Sequence, residues 1–478
     1  MLDKIEYYRQ KSKLLEPNDS ERKEILDKVI AYSESFTSQI EFLPAYQYVN
    51  NNTIEGCEIE DNPIPIEKVL EVIQEYIDKP GLNPASGGHL AYIPGSTLFG
   101  SILGDFLAAT TNKYSGVYFA SPGAVQLENM MIRWLCDIVG YPKNSAGNLT
   151  SGGSIANLIG IVTAREASGI KAKDIEKSVI YLTELVHHSI KKSIKVAGLG
   201  EANIRHVRMD EKFRMVPKDL NYHIISDKKN GLIPLLVVSS AGTTDVGSID
   251  PLDDISEICR ANNIWHHIDG AYGGFFVLSD IVKDALKGIE KSDSLVMDPH
   301  KGLFNPYGIG SIIVRDKEAM FNAHHLDAKY LQDAVKYQSE VSPNDLSPEM
   351  TKHFRAMRMW LPLKLAGLNA FKSALNEKIL LARYFYEKIS SIDGFEVGPY
   401  PDLSIVTYRY IPQKGDPNVF NERLVRKVQL DGRVFISSTT LNNNFTLRMA
   451  ILSYRTHIDI IDNAIEILKE KVKELENE

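Results

Sequence analysis

From about residue 85 to 370, short apolar β-branched runs alternate with stretches of helical spacing. The runs at 179–182, 235–239, 264–269, 294–297 and 310–314 have the length of buried strands. Segments such as 253–260 supply crossover helices between them. This alternation predicts an α/β fold: an open, mostly parallel sheet with helices on both faces. In such folds ligands bind outside the carboxyl ends of the strands. The residues that come after each run are therefore the place to look for chemistry.

The flanks read differently. Residues 1–84 are helical in pattern. Asp19 or Ser20 can cap a helix carrying Ile25, Leu26, Val29, Ile30 and Tyr32, and a second helix over 67–79 stops at Pro80-Gly81. Beyond 370, a long helix (370–390), strands at 404–410 and 445–451 and a last helix (458–475) predict a small α+β domain. The expected organisation is an N-terminal helical segment (1–84) that clasps a second subunit, a large cofactor-binding domain (85–370) and a small C-terminal domain (371–478).

Composition narrows the function classes. The 478 residues carry a net charge of −8, without the basic excess of a nucleic-acid binder. Hydrophobic residues at 44% and charged residues at 24% suit a folded chain. The three cysteines, Cys57, Cys136 and Cys259, are odd in number and far apart, which excludes a disulfide framework and predicts a reducing cytoplasm. No apolar run reaches the roughly 18 residues of a membrane span, and the charged start lacks a signal sequence. His-Glu-x-x-His, Cys-x-x-Cys, the P-loop and Gly-x-Ser-x-Gly are absent. No metal is expected at the histidine pairs 187–188, 266–267 and 324–325, because neighbours on a strand face opposite sides.

Four features stand at predicted strand ends. Asn148 to Asn157 reads NLTSGGSIAN ahead of a helix; its small residues would leave backbone N–H groups free for an anion, with Ser151 and Ser154 adding hydroxyl donors, or a serine would simply cap the helix. Asp269 ends a strand and precedes the small Gly270-Ala271; it either faces the crevice or caps the next helix. Lys301, in Asp298-Pro299-His300-Lys301-Gly302, is either an amine nucleophile for an aldehyde or a surface lysine. His187 or His188 either stacks on a flat ring and handles protons or is an idle loop residue. Together, an anion cradle, a carboxylate for a ring nitrogen, a stacking imidazole and an amine are what pyridoxal 5'-phosphate needs.

The same residues carry a family resemblance over about 85–455. The ordered segments are Ala91-Tyr92-Ile93-Pro94, Ala120-Ser121-Pro122-Gly123, Glu128-Asn129-Met130, the 151–157 cradle, His187, Gly242-Thr243-Thr244, His267 to Tyr272, Asp298 to Lys301 and Phe354 to Trp360. In these the chain resembles the aromatic-L-amino-acid decarboxylases, pyridoxal-phosphate-dependent group II decarboxylases of fold type I. The resemblance implies that Lys301 binds the cofactor covalently and that His300 touches cofactor and substrate. It implies that Asp269 pairs with the pyridinium, Ala271 packs on the ring and His187 stacks on its other face. Gly153 and Ser154 would hold the phosphate, and Thr244 would contact the cofactor region. Tyr330 would be the loop tyrosine that protonates the α-carbon, which favours an amine product over an aldehyde. Tyr92, Ile93, Tyr114 and Tyr307 would form the side-chain pocket, the last two reaching the neighbouring subunit's site in a homodimer.

Three departures stand out. Gly302 comes after the lysine where many relatives carry tryptophan. Asp298 stands near the phosphate where many carry asparagine; a carboxylate there is repulsive unless turned away or paired, so Asp298 is not counted as a ligand. Ser86-Gly87-Gly88-His89 replaces the usual pocket entry. The expected activity is decarboxylation of an L-amino acid, aromatic by the three tyrosines and isoleucine of the pocket. The alternatives are a non-aromatic substrate, an aldehyde-forming or transaminase activity with Arg448 as carboxylate partner, and a non-catalytic scaffold.

Overall fold

The computed structural model describes residues 1–49, 55–326 and 340–478. Near the N-terminus the helix Asp19–Gln39 is capped by Asn18, one residue ahead of the expected caps. Its side chain accepts from the backbone N–H groups of Ser20 and Glu21, and Glu21 reciprocates on the N–H of Asn18. The second expected helix is Ile66–Val72 continued by a wider turn, Ile73–Asp78. On either side of it in the chain, β1 (Tyr46–Gln47) and β2 (Gly81–Leu82) pair in a small ladder, and β3 (His89–Leu90) comes next.

The large sheet has seven strands: β4 (Ala146–Thr150), β5 (Ser178–Leu182), β6 (Asn203–His206), β7 (Ile233–Ser240), β8 (Trp265–Asp269), β9 (Ser294–Met297) and β10 (Gly310–Val314). Their order is β4-β10-β9-β8-β7-β5-β6, and only β10 runs against its neighbours. Strand β5 shows why these runs are apolar throughout rather than alternating. Its Ile180 and Leu182 enter one core with the helices Gly153–Ala167 and His188–Val196, while Val179 and Tyr181 enter another with Pro217–Lys229 and Leu252–Asn262. Both faces are covered, so every position is buried.

The second sheet is built from β11 (Phe395–Val397), β12 (Ile405–Tyr410), β13 (Phe435–Leu441) and β14 (Asn444–Ala450), in the order β11-β12-β14-β13-β3. The four later strands are antiparallel. Strand β3 adds in parallel beside β13, His89 opposite Phe435 and Leu90 opposite Ile436. Helices Leu368–Ser390, Pro417–Asp431 and Ile458–Glu476 share this sheet's core. Among the described residues no helix is long and apolar enough to cross a membrane.

Candidate active site

The ends of β4, β5, β8 and β9 open onto one cavity of about 260 Å³. After β4 the chain turns through Ser151-Gly152 into the helix Gly153–Ala167, whose start has no side-chain cap. Its first N–H groups and its dipole point at the cavity, which suits a phosphate. After β9, the short helix Pro299–Gly302 presents His300 and Lys301. After β5, His187 begins the helix His188–Val196, its ring accepting from the N–H of Ser189. Of the two histidines left open by the sequence, His187 lines the cavity and His188 does not. Asp269, the last residue of β8, is buried behind the wall. Its two oxygens accept from Asn157 Nδ2 at 3.3 Å and the N–H of Ala271 at 3.2 Å.

Asp298 is the residue whose position the sequence could not give. Its side chain is 1% exposed, and Oδ2 lies 3.0 Å from Lys301 Nζ and 3.7 Å from His300 Nε2. The carboxylate is thus paired, the condition under which it can stand beside an anion cradle. Glycine makes the approach possible: a Cβ on Gly153 would lie 2.6 Å from Asp298 Oδ2, and one on Gly310 2.7 Å from Oδ1. Burial holds both His187 and His300 below the ordinary histidine range, so both rings are neutral near pH 7. His300 Nδ1 faces the carbonyl of Ile309 and must donate to it, which leaves Nε2 as an acceptor.

Gly153, Ser154, His187, Ala271, His300 and Lys301 therefore meet at one cavity, with Asp269 directly behind. The remaining candidates sit elsewhere. Thr244 and Tyr92 give their carbonyls to the buried Arg448, whose guanidinium also binds the carbonyl of Asp245 and the hydroxyl of Ser437. Ile93 is buried in the main core. Tyr114 donates to the carbonyl of Met350 at 3.3 Å. Tyr307 stands edge-on to His300 with ring centroids 5.6 Å apart. Tyr330 lies outside the described residues. No group of three metal-ligating side chains occurs among the described residues.

The cavity has room and chemistry for a phosphorylated aromatic aldehyde: an uncapped helix start, an amine on the wall and a carboxylate behind a small residue. The sequence profile of the pyridoxal-dependent decarboxylase conserved domain matches residues 52–411. The chain belongs to the pyridoxal-dependent decarboxylase family. This decarboxylase is 32% identical over 372 residues to the aromatic-L-amino-acid decarboxylase of Bacillus atrophaeus, covering 77% of each chain. It is 28% identical over 480 residues to a phenylacetaldehyde synthase of Petunia hybrida, covering 95% of this chain and 94% of that one. Its fold matches the crystal structure of Oryza sativa TDC with PLP and tryptamine at a TM-score of 0.91 and 21% identity, over 96% of this chain and 99% of that one. The fold is thus that of the fold type I enzymes. The decarboxylase is a carboxy-lyase that uses pyridoxal phosphate. Sequence reasoning missed Asn157 and Ser189 as part of the site. In the sequence Asn157 is only the end of the cradle motif, and nothing local marks its partners.

Proposed function

We propose that this decarboxylase converts an aromatic L-amino acid to its amine and carbon dioxide. The observation that carries the reading is Arg448. It is 3% exposed, and its donors are taken by three carbonyls and a hydroxyl. Four of its five N–H groups are thus held inside the protein and the guanidinium is buried, which disfavours it as the partner of an acidic substrate side chain or of a transaminase's second carboxylate, and a carboxylate without a cation is costly to bury. Relatives acting on aromatic amino acids support the same choice.

Bound pyridoxal phosphate supplies an electron sink for the bond broken at the substrate's α-carbon. The chain's own residues do the rest. Gly153 and Ser154 hold the phosphate at the helix start. Asp269 would favour a protonated ring nitrogen, and Ala271 and the neutral His187, which line the cavity, would pack against the ring. Lys301 would hold the cofactor through its amine, and Asp298, 3.0 Å from Nζ, would balance the charge of that amine when it is free. His300 offers Nε2 as an acceptor at the mouth. Thr244 lies outside this cavity on the turn that Arg448 holds, and would support the cofactor region only from there. Tyr330 returns a proton to the α-carbon after carbon dioxide leaves.

A second copy of the chain completes the site, with Tyr92 and Ile93 from one subunit and Tyr114 and Tyr307 from the other. The helix Phe99–Thr111 supports this. It buries Ser101, Gly104 and Ala108 inward and exposes Phe99, Ile102, Leu103, Phe106 and Leu107. That outward apolar stripe has helical spacing and needs a partner. Three free thiols among the described residues favour a cytoplasmic setting.

The test is a product screen of purified holoenzyme against all proteinogenic amino acids, 3,4-dihydroxyphenylalanine and 5-hydroxytryptophan, reading amine, aldehyde, keto acid and carbon dioxide. Fastest amine release from an aromatic substrate is expected. Faster turnover of glutamate or aspartate, or keto acid as the main product, would refute the reading.

A further inference from the structure

The helix Gly153–Ala167 carries two residues, Asn157 and Gly160, one turn apart on the side that meets β8. Asn157 is 1% exposed, and both ends of its amide are engaged. Its Nδ2 reaches Asp269 Oδ2 at 3.3 Å and Ser189 Oγ at 3.1 Å, and its Oδ1 meets His267 Nε2 at 2.9 Å. Behind it, His267 Nδ1 is 2.8 Å from Ser294 Oγ, which accepts from the indole N–H of Trp265 at 2.8 Å. In front, Ser189 Oγ is 2.7 Å from His187 Nδ1.

The direction of every bond in this chain is set by its ends. An indole N–H only donates and a carboxylate oxygen only accepts. Asp269 must therefore face the amide nitrogen of Asn157, and Oδ1 must face His267. His267 then carries its proton on Nε2 and accepts at Nδ1 from the Ser294 hydroxyl. Ser189 accepts from Asn157 and donates to His187 Nδ1, which leaves the N–H of His187 on Nε2, toward the cavity. Gly160 holds the arrangement: a Cβ there would lie 2.6 Å from His267 Cε1 and 2.8 Å from Nδ1, so only a glycine lets the imidazole approach the helix this closely.

We infer that Asn157, aimed by His267, is a positioning residue that ties the carboxylate of Asp269 to the ring of His187 and sets which proton each presents. It gives Asp269 a second donor beside the N–H of Ala271, which keeps the proton of a bound ring on the ring nitrogen and off the carboxylate. The inference rests on the reading of Asp269 as the ring nitrogen's partner.

Two measurements test it. In full-length protein labelled with ¹⁵N-histidine, before cofactor is added, long-range proton–nitrogen correlation is expected to show both His187 and His267 as Nε2–H tautomers. An Nδ1–H tautomer at His267 would require the opposite Asn157 amide orientation and would overturn the inference without any variant. In holoenzyme loaded with ring-¹⁵N pyridoxal phosphate, Asn157→Leu is expected to move the ring-nitrogen resonance toward its unprotonated position. His267→Gln, which can still donate to Asn157 Oδ1, is expected to keep the wild-type resonance. An unmoved resonance in Asn157→Leu with reduced turnover would make Asn157 merely structural. Asp269→Asn separates the two failures. If it shifts the resonance and Asn157→Leu does not, only the positioning role falls. If Asp269→Asn leaves the resonance in place, the reading of Asp269 falls and the inference with it.

Discussion

Lys301 and Asp298 form a pair of opposite charges 3.0 Å apart on the wall of the cavity. Removing the amine would take away the group proposed to hold the cofactor aldehyde. Lys301→Ala is expected to abolish the visible absorbance of the loaded enzyme and to cut turnover by roughly a thousand-fold or more. Spectrophotometry with a carbon dioxide assay reads both, and retention of both would sink the assignment. In the proposed reaction Tyr330 returns the proton to the α-carbon once carbon dioxide has left. Tyr330→Phe is expected to bring oxygen uptake and aldehyde release with an aromatic substrate. An oxygen electrode beside product chromatography decides, and an unchanged amine yield without oxygen uptake would remove its proton-returning role. At this scale the sequence was informative wherever a side chain stands just past a strand end, because the backbone alone delivers Gly153, His187, Asp269 and Lys301 to one place. It did not give the roles of Asn157 and Arg448. Their roles come from contacts such as Asn157 with Asp269, 112 residues apart, and Arg448 with Tyr92, 356 apart, which no local pattern encodes.

Among elements, the helix Pro122–Val139 and strand β4 are joined to the segment after residue 340 by a buried ion pair. Lys352 Nζ lies 2.6 Å from Glu128 Oε1 and 2.7 Å from Asn148 Oδ1, with both charged side chains at most 1% exposed. Burial pushes the Lys352 ammonium down, while Glu128 holds it up. Lys352→Met would strand a buried carboxylate and is expected to destabilise the protein by about 3–5 kcal/mol. Glu128→Gln in the same background should recover much of that loss. Urea titrations of the three proteins check it. Equal stability of Lys352→Met and wild type would show that the pair contributes nothing. The long helices were readable from spacing and caps, to within the single residue that separates Asn18 from the expected Asp19. Strand β3 was not, because two residues carry no periodicity and the partner strand lies some 345 positions later.

For the molecule as a whole, the apolar stripe of the helix Phe99–Thr111 predicts that Ile102→Glu with Phe106→Glu shifts the protein from twice 53.6 kDa to 53.6 kDa by light scattering and lowers activity with it. An unchanged mass would place the partner surface elsewhere. Acid stability is governed by the buried histidines. Burial lowers His266 to about 3 and His267 and His89 to about 4, from an ordinary 6.5. The unfolded chain therefore binds protons between pH 6.5 and about 4 that the folded chain refuses, so stability falls as pH drops through that window. Each ring contributes up to roughly 3 kcal/mol. Asp250, raised to about 6 by burial, and Asp293, also raised by burial, act in the opposite sense, but burial lowers His187, His300 and His324 as well, so the histidines outnumber them. Melting temperatures measured from about pH 7 to about pH 4.5 should decline steadily, and a flat profile would show that these rings titrate normally.

Strand β3 couples synthesis to folding. The edge beside β13 is filled by residues that leave the ribosome more than 340 positions before Phe435 does. Expressed alone, residues 371–478 would have a bare sheet edge able to recruit foreign strands, and the native protection arrives only when the earliest part of the polypeptide is present to close it.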